Sequence, residues 1–142
     1  TDGRLRLPAF VRANLARRGE GEALLFGSHE SDPCLTGYDR GYAALLHADS
    51  ERRRLVEEAA APTAWIARAR RLFGLVQESA LDGDGHVLLP EMMRRRARIG
   101  ALALMVGTGG AFELWNPELA LDSGDPQLAE LADYYLAPQR AA

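Results

Sequence analysis

The sequence has no lysine, so all 17 of its basic side chains are arginines. It also has only one cysteine, Cys34, which excludes an internal disulfide and any metal site built from several cysteines. The longest apolar run, residues 101–106, is far shorter than the roughly 20 residues that a membrane-spanning helix needs. No signal peptide is visible either. These absences predict a cytoplasmic protein without a membrane partner.

The charge is distributed unevenly along the 142 residues. A net charge of −3 at pH 7 is not typical of a nucleic-acid-binding protein. The arginines nevertheless occur in clusters, at 4 and 6, 17 and 18, 52–54, 68–71 and 94–98. We expect cluster 52–54 to form surface ion pairs with nearby acids. Cluster 94–98 is expected on a solvated helix face, where it would attract DNA or pair with acids of a neighbouring subunit.

One short motif occurs twice. Asp2-Gly3-Arg4-Leu5-Arg6-Leu7-Pro8 returns 82 residues later as Asp84-Gly85-His86-Val87-Leu88-Leu89-Pro90. The Asp, the Gly, the last Leu and the Pro are identical, and so are Arg12 and Arg94 further on. Each copy predicts a turn with glycine, a short strand, and a helix that begins at proline. Two copies in a chain of single-domain length predict one shared core.

Alternation in the first copy places Arg4 and Arg6 on one face of a strand and Leu5 and Leu7 on the other. Further strands are predicted at 23–26, 34–38, 77–81, 86–89, 102–106 and 111–115. The middle of the chain, 41–74, predicts a helical hairpin in which Ser50 starts a new helical run. A tail helix is expected over 126–136, with Leu128, Leu131 and Tyr135 facing inward.

Catalytic patterns are weak. The three histidines lie on a predicted loop, helix and strand without ligand-like spacing. Cys34 lies five residues after His29, which leaves a Cys–His nucleophile open, but a buried cysteine acting as a small apolar residue is favoured. The sequence has no phosphate-binding glycine loop and no Gly-x-Ser-x-Gly motif. We therefore predict that the protein is not an enzyme and uses no cofactor and no metal.

Three stretches carry a resemblance to a known family: Gly3-Arg4-Leu5-Arg6-Leu7-Pro8, Asp82-Gly83-Asp84-Gly85-His86-Val87-Leu88-Leu89-Pro90, and Phe112-Glu113-Leu114-Trp115. With the helical segment between the copies, they make the chain similar to the MraZ family of bacterial transcriptional regulators. Each half of that family is related to the swapped-hairpin DNA-binding domain of AbrB and SpoVT. The resemblance covers nearly the whole chain.

The resemblance implies an α+β fold of two fused swapped-hairpin β-barrel halves, related by a pseudo-twofold axis. The first half is expected at 1–40, the helical linker at 41–76, the second half at 77–116 and a helical tail at 117–142. The family's first strand and first motif aspartate would precede Thr1, so we expect an N-terminal segment beyond the sequence given.

The resemblance also implies a function. The family binds short direct repeats of double-stranded DNA upstream of the cell-division and cell-wall gene cluster, as a ring-shaped homo-oligomer. This predicts a sequence-specific repressor in the cytoplasm, associated with the nucleoid. The expected DNA-binding residues are Gly3, Arg4, Arg6, Asp82, Gly85 and His86.

Two departures from the family pattern leave alternatives open. Asp2 stands where the family usually has a basic residue, and His86 stands where it has arginine, which weakens the expected phosphate contact. Arg4 either contacts DNA or pairs with a motif aspartate that holds the loop. Asp82 is expected to order its turn, because DNA phosphates repel a carboxylate. The alternative function is a ring-forming scaffold or interaction protein with reduced or lost DNA binding.

Overall fold

A computed structural model describes residues 3–9, 11–13, 23–57 and 63–141. For residues 139–141 it describes the backbone only. Asp2, Arg17 and Arg18 therefore lie outside the described residues. The strands are β1 (Arg4–Arg6), β2 (Ala23–Ser28), β3 (Leu35–Tyr38), β4 (Gln77–Ala80), β5 (His86–Leu88), β6 (Leu104–Gly107) and β7 (Phe112–Trp115). The helices whose bounds both lie within the described residues are α1 (Arg40–Glu57), α2 (Ala64–Phe73), α3 (Glu91–Ala97), α4 (Pro117–Leu121) and α5 (Pro126–Ala141). The predicted α+β class is confirmed.

The strands form two antiparallel sheets. β1 and β5 make a two-stranded ribbon, and the larger sheet has the order β4-β2-β3-β7-β6. β3 and β7 pair at the centre of the larger sheet, and β4 of the second half pairs with β2 of the first. The two halves therefore share their sheets. Within the described residues, these sheets stay open and do not close the barrels expected from the sequence.

The ribbon is symmetric in its register. Leu5 lies opposite Val87, and these residues are separated by the same 82 positions as the two copies of the motif. The register therefore relates the copies by a local twofold axis through this pair. Under that relation Arg4 corresponds to His86, and Arg6 corresponds to Leu88.

One apolar cluster joins both halves beneath the ribbon. Leu7 and Leu89, equivalent residues of the two copies, are each 1% exposed, and Phe26 and Leu114 are fully buried beside them. Burying a side chain of this size stabilises the fold by about 1.5–3 kcal/mol. A second cluster around Trp115 packs α4 and α5 against the sheet. Since the first cluster contains leucines of both copies, it fixes the ribbon to a core that the copies share.

The helices differ from the sequence-based expectation at two places. α1 runs without interruption from Arg40 to Glu57, so the predicted restart at Ser50 is wrong. Serine costs only some tenths of a kcal/mol inside a helix, and good helix formers follow it. In α5, Ala132 and Leu136 are buried but Tyr135 is 58% exposed, so its predicted inward position is wrong. Ala132 belongs to the buried cluster around Trp115 and Leu104, so the stripe of α5 that carries it faces the sheet.

The linker helices bury none of their own residues completely. Asp39 directly precedes α1 and caps it, because its Oδ1 accepts the N–H of Tyr42 at 2.8 Å. The arginines at 52 and 54 form the expected surface ion pairs, with Asp49 and Glu51. No helix in the described parts of the chain is long and apolar enough to cross a membrane.

Candidate nucleic-acid interface

The outer face of the ribbon carries the predicted basic residues. Arg4 and Arg6 are exposed, whereas Leu7 is buried, so the predicted alternation of faces is confirmed. In an antiparallel pair, directly opposite residues point to the same side. Arg4 lies opposite Leu88 and Arg6 lies opposite His86. The four side chains of this face, which we call the ribbon face, are therefore Arg4, Arg6, His86 and Leu88.

The ribbon face is not equally charged on its two strands. β1 contributes two guanidinium groups, and β5 contributes one imidazole and one leucine that is 54% exposed. Leu88 occupies the position equivalent to Arg6. An exposed leucine beside two arginines offers an apolar contact surface, which sequence reasoning did not assign to the site.

Asp82 orders the turn that leads into β5. Its Oδ1 accepts the backbone N–H groups of Asp84 and His86, both at 2.9 Å. The hydrogen bond from the N–H of His86, followed by that of Asp84, lowers the pKa of the Asp82 carboxyl below its ordinary value. Its Oδ1 also lies 3.8 Å from Nδ1 of the His86 ring. The ionised carboxylate of Asp82 therefore holds the backbone of the turn in place.

Arg4 reaches this turn from the other strand. Its Nη2 donates to Oδ2 of Asp82 at 3.4 Å, and the arginine side chain remains 56% exposed. The pair is long and solvated, so its contribution to stability is small. Arg4 thus contacts the turn with one edge of its guanidinium group, while more than half of its side chain stays accessible to solvent. The sequence left open whether Arg4 contacts DNA or pairs with a motif aspartate, and this geometry is compatible with both.

The two motif glycines have equivalent roles. Gly3 has φ +85° and Gly85 has φ +82°, a left-handed conformation that side chains rarely adopt. The carbonyl of Gly3 accepts the N–H of Leu89 at 2.7 Å, and the carbonyl of Gly85 accepts that of Leu7 at 2.9 Å. Each turn is therefore fastened to the strand end of the other half. The ribbon face and both turns are therefore joined by backbone hydrogen bonds into one continuous surface.

Several known proteins are similar to most of this chain. No family model matches the chain. The transcriptional regulator MraZ of Hydrogenovibrio crunogenus is 32% identical over 130 residues, which are 92% of this chain and 81% of the relative. That of Saccharophagus degradans is 34% identical over 82% of this chain and 75% of its own length. The chain belongs to the MraZ family of transcriptional regulators. A third MraZ, from Cytophaga hutchinsonii, is 30% identical over 97% of this chain and 89% of its own length.

The MraZ membership confirms the resemblance inferred from the duplicated motif. These relatives are named as transcriptional regulators. The roles of Gly3, Arg4, Arg6, Asp82, Gly85 and His86 towards DNA remain predictions.

Two further arginines pack against the two turns. A Cβ atom at Gly3 would lie 3.2 Å from Nε of Arg94, and one at Gly85 would lie 2.6 Å from Cδ of Arg12. Each arginine therefore packs against the turn of the other half. Sequence reasoning noted their identity at the 82-residue offset but did not place them at the site. That identity was the available signal, since the offset already related the two turns.

Two groups of side chains in the described residues have metal-ligand types: Asp82 with Asp84 and His86, and His29 with Cys34 and Glu113. In the first group, Oδ1 of Asp82 is occupied by two backbone N–H groups. In the second, Nδ1 of His29 accepts backbone N–H groups from Ser31 and Asp32, at 3.1 and 3.0 Å. The proton of the neutral ring then lies on Nε2, which is 3.2 Å from Oε2 of Glu113.

His29 and Glu113 are therefore joined by a hydrogen bond, which we call the hydrogen-bonded bridge. A metal ion would need the lone pair of Nε2, and the proton occupies that position. The hydrogen bond from His29, followed by one from the indole of Trp115 at 2.9 Å, lowers the pKa of Glu113. Cys34 is 3% exposed, and burial strongly raises the pKa of its thiol. A buried, protonated thiol is a poor nucleophile. The prediction of a buried, apolar role for Cys34 is confirmed.

Proposed function

We propose that this protein is a sequence-specific DNA-binding repressor that uses the ribbon face to contact double-stranded DNA. The observation that carries the proposal is the exposure of Arg4 and Arg6 side by side on a ribbon fixed at both ends. Membership of a family of transcriptional regulators supports it. The target would be short direct repeats in the promoter of the cell-division and cell-wall gene cluster.

The chemistry of the ribbon face suits DNA. A guanidinium group can bind a phosphate oxygen, or the O6 and N7 atoms of guanine, through two parallel N–H donors. Asp82 would act through the turn and not through the duplex, since its carboxylate is already engaged by backbone N–H groups. Leu88, exposed beside Arg4, suits the methyl group of thymine. The face therefore offers polar and apolar contacts within one small patch.

A single ribbon face would bind weakly. Two or three cationic side chains neutralise few phosphates, and each phosphate contact contributes a slope of about −0.9 to the dependence of log K on log salt. A ring of identical subunits would present several faces to repeated sites and raise the effective concentration of each. We therefore include a homo-oligomeric ring, acting in the cytoplasm at the nucleoid, in the proposal.

A gel mobility-shift assay tests the proposal. The protein is titrated onto DNA from upstream of its own gene and onto random DNA of the same length, at moderate salt. We expect a preference for the upstream DNA that Arg4→Glu and Arg6→Glu abolish. Arg52→Glu, which also replaces an exposed arginine of an ion pair, is the matched control and should bind normally. Light scattering should give the same mass for all variants. Equal binding of wild type to both DNAs would refute the repressor.

The alternative is a ring-forming scaffold with reduced or lost DNA binding. The weaker charge of β5, with His86 and Leu88 in place of two arginines, favours it. The same assay separates the two functions, because a scaffold keeps its mass by light scattering but shows no preference for upstream DNA.

A further inference from the structure

A groove lined by arginines lies away from the ribbon face. Its volume is about 610 Å³, and its lining comes from α2, from α3 and from the loop after β2. The residues are Glu30, Ala67, Arg68, Arg70, Arg71 and Arg96. Four guanidinium groups and one carboxylate thus face one space, which gives it an excess of positive charge. We call it the arginine groove.

The single carboxylate of the groove is already neutralised. Both oxygens of Glu30 accept hydrogen bonds from Arg53 on α1, at 2.6 and 3.0 Å. Arg71 is fixed as well, because its Nε donates to the carbonyl of His29 at 2.6 Å. Within the described ranges, Arg70 and Arg96 form no ion pair. The groove therefore combines positioned cations with two that are able to turn toward a ligand.

Arg68 lines the groove with a side chain that is largely buried. Its side chain is only 10% exposed, and Nη1 donates to Oε2 of Glu57 at 2.6 Å. Its buried Nε and Nη2 atoms find no hydrogen-bond partner in the part of the chain that the structure describes. Charged donors removed from water are costly to leave without an acceptor. Both atoms are closed off from solvent, so an anion in the groove would accept from them once the Arg68 side chain turns toward it.

We propose that the arginine groove binds a small anion that carries more than one phosphate group. Phosphate oxygens match the planar fork of guanidinium groups, and several arginines need several charges on the ligand. The volume lies within the range of ordinary small-molecule sites. Such a ligand would connect the linker helix α2 to α3 of the second half.

The position of the groove favours a free phosphate compound over the DNA held at the ribbon face. Arg94 of α3 packs against the turn at Gly3, whereas Arg96, two residues later, lines the groove. Residues two apart on a helix point to different sides. The groove and the turn therefore lie on different sides of α3. The proposal does not depend on the proposed contact between Arg4 and DNA.

Sodium tripolyphosphate is the probe for the test. Its binding to the full chain is measured by isothermal titration calorimetry and by the shift of Tm, at constant ionic strength against sodium chloride and sulfate. We expect saturable binding that the double variant Arg70→Gln/Arg96→Gln weakens at least tenfold. These side chains have no ion pair to lose within the described ranges, so the fold should survive. The matched control is Arg52→Gln/Arg95→Gln, which removes two exposed arginines elsewhere and should bind normally.

A second arm identifies the source of the phosphate. If the groove takes DNA phosphates, the Arg70→Gln/Arg96→Gln variant will lose DNA affinity, its salt slope will fall by about 2, and tripolyphosphate will compete with DNA. If the ligand is a free compound, DNA binding by that variant will be unchanged. Tripolyphosphate effects equal in all variants, or no binding at all, would overturn the proposal. The proposal would also be overturned if no tripolyphosphate bound and the Arg70→Gln/Arg96→Gln variant differed in mass from wild type by light scattering. That result would show that the groove docks a second copy of the chain.

Discussion

Replacing Gly85 by alanine tests whether the turn before β5 is held in its left-handed conformation. Gly85 has φ +82°, and a Cβ atom there would lie 2.6 Å from Cδ and 2.8 Å from Nη1 of Arg12. Gly83 belongs to the same turn but has no atom within 4 Å of a Cβ added to it. Gly83→Ala is therefore the matched control for the same chemical change at nearly the same place.

The expected cost follows from the backbone and from the contact. A residue other than glycine loses about 1–2 kcal/mol in the left-handed region. Arg12 is a flexible side chain that can move away, which adds less than a clash with backbone would. We expect Gly85→Ala to lower the free energy of unfolding by about 2 kcal/mol, which is a fall in Tm of roughly 4–8 °C. Gly83→Ala should leave Tm within about 2 °C or raise it slightly, because alanine restricts the unfolded chain.

Thermal unfolding followed by circular dichroism measures both variants against the wild type, and urea unfolding gives the free energies. If both variants had the same Tm, the turn would not need its left-handed glycine, and the role assigned to Gly85 would be wrong. A large loss for Gly83→Ala alone would contradict the description of the turn altogether.

Three other perturbations have defined outcomes. Asp82→Ala removes the acceptor of two backbone N–H groups and should lower Tm, whereas Asp82→Asn keeps an acceptor oxygen and should lower it less. Gly37→Ala would push a methyl group into the ring of Phe112 and should cost about 1–3 kcal/mol in urea unfolding, while Gly100→Ala, in open space, should cost little. The lowered pKa of Glu113 means that its ionised form adds stability above about pH 4.5, which is lost as the pH falls through the folded-state value. Glu113→Gln should therefore flatten the fall of Tm in acid; an unchanged profile would contradict the hydrogen-bonded bridge.

The local features of the candidate site could be predicted from the sequence. The 82-residue offset identifies both turns, and the period of two predicts which face of β1 is exposed. These features depend on neighbouring residues only. The antiparallel pairing of the two copies, which brings Leu88 beside Arg4, is a contact between distant segments and leaves no local signal.

Other features were beyond the sequence for the same reason. The arginine groove unites α2 with α3, and its members look like separate solvated helix faces in the sequence. The direction of Tyr135 depends on which stripe of α5 packs against the sheet, and the buried Ala132 lies on that stripe. The restart predicted at Ser50 rested on the preference of serine for helix N-caps. The continuous helix α1, capped by Asp39, outweighs that local preference.

The central pairing of β3 with β7 has an evolutionary consequence. A gene that encoded one such unit would complete this sheet only by joining two identical products, and both strands of their ribbon would then show the same chemistry. Duplication followed by fusion removes that constraint, because each copy mutates independently while the stoichiometry stays fixed at one to one. A single polypeptide can thus carry two arginines on one strand of the ribbon and a histidine and a leucine on the other. A symmetric dimer of identical chains could not carry that combination.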